Sequence, residues 1–273
     1  MRQSLFFAAA ATLLVTACAP PPAMLRAAAD DVQADTAIAA VLASPTRTPA
    51  NVLRDQWRHP RETLGFLGVS PTDTVVEIWP GGGWYTEVLA PLVAEHGAYW
   101  GVASEKQQGG VRNLIAKDPG SYGKVRVAAF PAADGDARVP DGTADVVLTF
   151  RNVHNWLMAD PPFGEEAFRQ MYAMLKPGGT LGVVDHRLPE GADAARERSS
   201  GYVKTSTVRR LAEGAGFRFV AASEINANAA DTKDHPNGVW SLPPTYRGKD
   251  VDRDRFAAIG ESDRMTLKFV KPR

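Results

Sequence analysis

The stretch Val75-Val76-Glu77-Ile78-Trp79-Pro80-Gly81-Gly82-Gly83-Trp84-Tyr85-Thr86 constrains the fold more than any other part of the chain. It reads as a buried strand that runs into glycines and then into a helix. Glycine has no Cβ, so such a turn lets backbone N–H groups and a helix N-terminus come close to a ligand.

Downstream of this turn, strands and helices alternate. Strands are expected at Thr74–Trp79, Ala98–Val102, Lys124–Phe130, Ala144–Phe150, Thr180–Asp185, Phe217–Ala222 and Met265–Val270. Helices are expected at Trp84–Ala94, Gly110–Lys117, Phe163–Leu175 and Thr207–Ala215. The alternation implies an α/β fold with a parallel sheet and helices on both faces. Before the first strand, Leu53, Trp57, Leu64 and Leu67 carry a helical pattern that Pro60 must break or kink. Between Glu224 and Ser262 the chain is polar and aperiodic, and residues 226–262 read as a loop or lid.

Several motifs, taken in order, resemble those of class I S-adenosylmethionine-dependent methyltransferases. Glu77 precedes the glycines as in the E/D-x-G-x-G-x-G turn of that superfamily. Gly135-Asp136-Ala137 with Pro140-Asp141-Gly142 resembles its fourth-strand approach, and Leu175-Lys176-Pro177-Gly178-Gly179 its LKPGG turn. The phrase EIWPGGGWYT, FRNVHNW, LKPGG, VDHR is similar to a group of exported bacterial predicted methyltransferases. The resemblance covers roughly residues 64–223 plus the last strand. It implies a Rossmann-like, seven-stranded, mostly parallel sheet with the last strand antiparallel, spanning residues 51–273.

The same resemblance implies S-adenosylmethionine as cofactor, with Glu77, Trp79, Pro80, Gly81, Gly83 and Tyr85 around its methionine part. Glu105 is the candidate for the ribose and Asp136 for the adenine. Two positions depart from the motif: Trp79 stands where the first glycine belongs, and the carboxylate after the second strand comes late, in Gly101-Val102-Ala103-Ser104-Glu105.

In open α/β sheets ligands sit beyond the C-terminal ends of the strands. Two polar clusters fall there, Arg151-Asn152-Val153-His154-Asn155-Trp156 and Asp185-His186-Arg187. Methyl transfer is an in-line displacement that needs an aligned acceptor and often a base. His154 or His186 is the candidate base, Asp185 an orienting group, Asn155 a further polar contact, and Arg151 or Arg187 a holder for an acidic group on a small-molecule substrate. A metal site from His154, His186 and Asp185 has no fixed ligand spacing behind it, and none is expected. Trp79, Trp84, Tyr85 and Trp156 are expected near the mouth, where aromatic faces attract a sulfonium; packing of the first helix is the other use of Trp84 and Tyr85. Asp160-Pro161-Pro162-Phe163 resembles a motif of amino-group methyltransferases but lies too far past the fourth strand, and reads as a helix start with Asp160 as N-cap.

The N-terminus reads as an address. Arg2 precedes an apolar run, Leu5 to Ala17, of signal-peptide length, and Val15-Thr16-Ala17-Cys18 resembles a lipoprotein lipobox. This implies export, a lipid anchor at Cys18 and a periplasmic location; Ala19 in place of Asp favours the outer membrane. An ordinary cleaved signal peptide is the alternative. Residues 19–50 read as a tether with a short helix at Thr36–Leu42. Cys18 is the only cysteine, which excludes a disulfide framework and thiolate chemistry in the domain. Lys+Arg and Asp+Glu are 31 each, with no basic stripe, so nucleic acid is not an expected partner. The functional readings are methyl transfer to a small acceptor, a non-catalytic ligand-binding lipoprotein on the same scaffold and, a distant third, a nicotinamide oxidoreductase.

Overall fold

A computed structural model describes residues 22–273; the expected signal segment and Cys18 lie outside the described residues. Four helices come first, α1 (Pro22–Leu42), α2 (Pro49–Val52), α3 (Asp55–Arg58) and α4 (Pro60–Leu67). There follow β1 (Thr74–Ile78), α5 (Thr86–Leu92), β2 (Ala98–Val102), α6 (Gly109–Lys117), α7 (Pro119–Tyr122), β3 (Arg126–Ala128) and β4 (Ala144–Phe150). The chain continues through α8 (Val153–Met158), α9 (Gly164–Met174), β5 (Leu175–Leu188), β6 (Val203–Lys204), α10 (Thr205–Gly214), β7 (Arg218–Ser223), α11 (Arg253–Ile259) and β8 (Arg264–Val270).

The sheet order is β3-β2-β1-β4-β5-β8-β7, parallel except that β8 runs antiparallel between β5 and β7. The two-residue β6 adds a parallel pair to β5. Because side chains alternate along a strand, the two faces of β1 need separate cores. Val76 and Ile78 pack with Phe168 and Met171 of α9, while Val75 packs with Leu64 and Leu67 of α4 and Leu89 of α5. From β1 the chain steps outward to β2 and β3, then returns to place β4 on the other side of β1. That reversal opens a crevice between the ends of β1 and β4. Antiparallel β8 brings its first residue to the same sheet edge, where Arg264 pairs with His186.

Several local expectations change. From Pro22 onward the expected tether is largely helix: its alanine-rich sequence favours helix, and fully buried Ile38 docks α1 in the core that also holds α4 and α5. Thr48 then donates from Oγ1 to Glu87 at 2.6 Å, and Arg47 pairs with Asp55 at 2.6 Å. Pro60 does break the preceding helix, through His59 at φ 40°. α9 ends at Met174, and Lys176–Gly179 form an irregular bulge in β5, with Gly178 at φ 85°, between Leu175, which pairs with Ala144, and Thr180, which pairs with Val146. Asp160 is exposed and caps nothing, since α9 starts later, with Phe163 as its N-cap. The segment 226–262 folds as an ordered cap. Buried polar pairs, Tyr202 Oη to Asp231 at 3.0 Å and His235 to Asp231 at 2.9 Å, hold it where an apolar period is missing.

Candidate functional site

A cavity of about 340 Å³ lies at the crevice between β1 and β4. Its floor is the turn Trp79–Gly82 with Arg151, His154 and His186, and Arg54 and Arg58 form one wall. Trp240, Pro243 and Pro244 of the cap roof it.

Two residues at strand ends take left-handed backbone, Trp79 at φ 50° and Arg151 at φ 63°. Such conformations cost about 1–3 kcal/mol and persist only when their surroundings fix them. Here the ladder continues into each: Trp79 N donates to Val102 O at 2.8 Å and Arg151 N to Val184 O at 2.7 Å. Asn152 clips the two strand ends together, its Nδ2 donating to Ile78 O at 2.8 Å and to Thr149 Oγ1 at 3.2 Å. The Trp79 indole donates to Phe130 O at 3.0 Å and meets Trp156 edge-on at 6.0 Å. Its ring therefore fills the notch between the ends of β1 and β3 and helix α8.

Glu77 is buried under the turn. Tyr99 Oη donates to it at 2.5 Å and Thr86 Oγ1 at 3.1 Å. Burial raises its pKa to about 7 despite those two donors and the nearby Arg58 charge. Gly81 and Gly82 follow on the cavity side, and a Cβ built on either meets nothing within 4 Å. The turn thus presents bare backbone to open space.

Across the crevice, the Asp185 carboxylate is fully buried and accepts three hydrogen bonds. They come from His154 Nδ1 at 2.8 Å, His154 N at 3.3 Å and His186 N at 2.7 Å. An acceptor-only partner assigns the proton to Nδ1 and leaves His154 Nε2 as the acceptor on the cavity side. His186 pairs through Nδ1 with Ser262 Oγ at 2.5 Å. Burial first, then the positive charge His154 would carry when protonated and the charges of Arg151, Arg264 and Arg58, push its pKa well below the usual imidazole value, so it is neutral at neutral pH. One ligand atom each from His154, Asp185 and His186 lies within 4.8 Å of the others. Asp185 is already committed to three donors, and the surrounding guanidinium groups repel a dication.

Glu261 organises those guanidinium groups. Arg54 Nε donates to it at 2.6 Å, Arg58 Nε at 3.1 Å and Arg264 Nη1 at 3.2 Å. Burial opposes its ionisation, but the charges of Arg58, Arg264, Arg151 and Arg54 win and hold the pKa at about 2.

Of the residues singled out from the sequence, Glu77, Trp79, Pro80, Gly81, Tyr85, Arg151, His154, Asn155 and His186 line the cavity, and Asp185 lies directly behind it. Gly83 is buried against Leu114 instead. Glu105 and Asp136 are not brought in. Gln108 takes the inner position after β2, donating to Ala103 O at 3.0 Å and Ala128 O at 3.1 Å, which leaves Glu105 exposed in a short turn. Asp136 accepts from Ala133 N at 2.8 Å and closes its own exposed turn. Arg187 points away and pairs with Asp263 and Glu224. Trp156 is buried under Trp79 without reaching the cavity, whereas Trp84 lines it, its ring already in contact with Arg58 at 4.7 Å and Arg47 at 5.5 Å. Sequence reading missed Arg54, Arg58, Trp240, Glu261 and Ser262. The signal for Glu261 and Ser262 was the polar run Glu261-Ser262-Asp263-Arg264 directly before a strand.

No family model and no curated protein matches the chain. Solved structures do. An S-adenosylmethionine-dependent methyltransferase from Aquifex aeolicus superposes with a TM-score of 0.54 at 15% identity, over 87% of this chain and 98% of that one. The 4+2 cyclase SpnF gives 0.54 at 15% identity over 82% and 81%. Phosphoethanolamine N-methyltransferase 2 from Haemonchus contortus, in complex with S-adenosyl-L-methionine, gives 0.52 at 14% identity over 80% of this chain and 53% of that one. The fold is therefore that of the Rossmann-like methyltransferases. A cyclase among these neighbours shows that the fold alone does not fix the reaction.

Proposed function

We propose that the protein is an S-adenosylmethionine-dependent methyltransferase acting on a small-molecule acceptor in the cavity. The observation that carries this reading is the His154–Asp185 pair facing the bare glycine turn across one crevice. The residues present fit the amino-acid end of the cofactor: open backbone at Gly81 and Gly82, the Glu77 carboxyl beneath it, and the stacked Tyr85 and Phe150 rings, 3.6 Å between centroids, as an apolar wall. The nucleoside end would lie against Trp79. When bound, the cofactor supplies an electrophilic methyl group on a sulfonium. His154 Nε2 accepts the acceptor's proton, Asp185 keeps the ring in the required tautomer and steadies the imidazolium, and the cap excludes water.

Calorimetry of the full-length protein with S-adenosylhomocysteine, followed by assay of its formation from S-adenosylmethionine in cell-envelope extract, tests the proposal. Binding and turnover are expected, and absence of binding overturns it. A specific observation favours a second reading, a non-catalytic binding protein on this scaffold: Trp79 fills the notch, and Glu105 and Asp136 stand outside the cavity. Binding without turnover is its signature. We propose further that Cys18 carries a lipid anchor on the periplasmic side of the envelope, so Cys18→Ala should move the protein from the membrane to the soluble fraction.

A further inference from the structure

The cavity wall holds more positive charge than its own residues balance. Arg58 is buried and its Nη2 has no hydrogen-bond partner among the described residues; the same holds for Arg54 Nη2. Both side chains spend only Nε on Glu261, the carboxylate that Arg264 also shares. Arg151 makes no side-chain hydrogen bond or ion pair among the described residues, yet it lines the cavity from a left-handed backbone position that the fold maintains at a cost. The other carboxyl groups nearby do not supply the balance. Asp185 adds one negative charge beside Arg151 but its oxygens are taken by three donors, and burial disfavours the charged form of Glu77, so the guanidinium groups of Arg54, Arg58, Arg151 and Arg264 outnumber the carboxylates of Glu261 and Asp185. An uncompensated buried charge is expensive, and an unpartnered guanidinium presents a fork that matches a carboxylate or a phosphate.

We propose that Arg54, Arg58 and Arg151 form a subsite for an anionic group, a carboxylate or phosphate, carried by the acceptor molecule. The assignment rests on the reading that this cavity is where the acceptor binds, and it narrows the acceptor to a small organic acid or phosphate ester. Arg54 and Arg58 are braced by Glu261 and give a fixed rim. Arg151 braces nothing and is the group that closes on the ligand. Arg187, the other arginine that the sequence offered for this task, is neutralised by Asp263 and Glu224 and takes no part. An acid group held here offsets the wall's charge and leaves the rest of the acceptor under the cap, on the side of the cavity that holds His154 and His186.

The test is thermal unfolding of the full-length protein in low-salt buffer with added sodium phosphate, sodium succinate or, as control, sodium chloride. Phosphate or succinate should raise Tm by about 5 °C when well above its dissociation constant, and the more effective of the two identifies the class of acid. Chloride should not. In Arg151→Met the shift should vanish, while its Tm without added anion equals or exceeds that of the wild type, because a like charge has been removed from Arg54, Arg58 and Arg264. Arg209→Met, at a half-exposed position of α10 outside the cavity, should keep the full shift. The shift should persist with saturating S-adenosylhomocysteine. The proposal is overturned by an absent shift, by one that chloride reproduces or Arg151→Met retains, by a lower Tm of Arg151→Met without anion, or by loss of the shift when S-adenosylhomocysteine is bound. That last outcome would assign the arginines to the cofactor's own carboxylate. If S-adenosylhomocysteine does not bind at all, the methyl-transfer reading falls, while the shifts measured without it still decide the anion site.

Discussion

The two sides of the crevice are built by the same topology and finished in opposite ways. On the β4 and β5 side the strand ends carry His154, Asp185, His186 and Arg151 around open space. On the β2 and β3 side the Trp79 indole and the Gln108 amide cap the strand ends, and the cavity lining passes from Tyr85 directly to Phe150. Parallel strands leave unsatisfied backbone groups at their C-terminal ends on both sides. Whether a ligand or a side chain satisfies them depends on single residues that the fold does not dictate.

Substitutions can break this contrast at each level. The largest effect is expected from His154→Ala or Asp185→Asn, which should lower methyl transfer by about 100-fold or more while S-adenosylhomocysteine still binds; equal loss of binding would show that the pair shapes the cavity instead of moving a proton. Next comes Trp79→Gly, which clears the notch. It should tighten S-adenosylhomocysteine binding about tenfold and lower Tm, since loss of ring packing on Trp156 and Phe163 outweighs the relief of left-handed strain. An unchanged affinity would show that the nucleoside half does not use the notch.

A smaller effect concerns two carboxyl groups of the open side that are shifted in opposite directions, Glu77 to about 7 and Glu261 to about 2. Glu77 is raised in the fold from its ordinary 4.5, so its contribution to stability is fully present below about 4.5 and is lost as pH rises towards 7. Glu261 is depressed, so its contribution is present above 4.5 and is lost as pH falls towards 2. Glu77→Gln should therefore flatten the fall in Tm between pH 5 and 7; an unaltered slope would mean that the carboxyl is already ionised. Smallest of all, Glu105→Ala and Asp136→Ala should leave affinity within about twofold, because both side chains face solvent. A large loss from either would mean that the closed side opens to bind the nucleoside.

Much of the architecture was legible in the sequence because it rests on apolar periodicity. Ala98–Val102 and Ala144–Phe150 are bounded as read, and the glycine turn after Glu77 leads into a helix. The arrival of His154, Arg151, Asp185 and His186 at one crevice was legible as well, since Arg151 and His154 follow the buried strand β4 and Asp185 and His186 are polar residues near the C-terminal end of β5, which runs on to Leu188. The same logic failed for Glu261 and Ser262, because β8 runs antiparallel and it is the start of that strand that reaches the site edge. Glu105 and Asp136 misled for local reasons. Gln108 takes the inner position after β2 in place of Glu105, and a short carboxylate such as Asp136 satisfies a backbone N–H of its own turn as readily as it would a ligand. Arg54 and Arg58 sit before the first strand, in the turn before α3 and at its last residue, and the docking of that short helix depends on Glu261, far along the chain.

The ion pairs through Glu261 carry a consequence in time. They join Arg54 to a residue 207 positions later and Arg58 to one 203 positions later. A chain emerging from its N-terminus has most of its sheet before it has this carboxylate, the neighbouring Ser262 or strand β8. Until Glu261 and β8 are in place, Arg54 and Arg58 face one another without this counter-charge. The arginine wall of the cavity is thus a late product of folding, set only when the segment from Glu261 through β8 has docked.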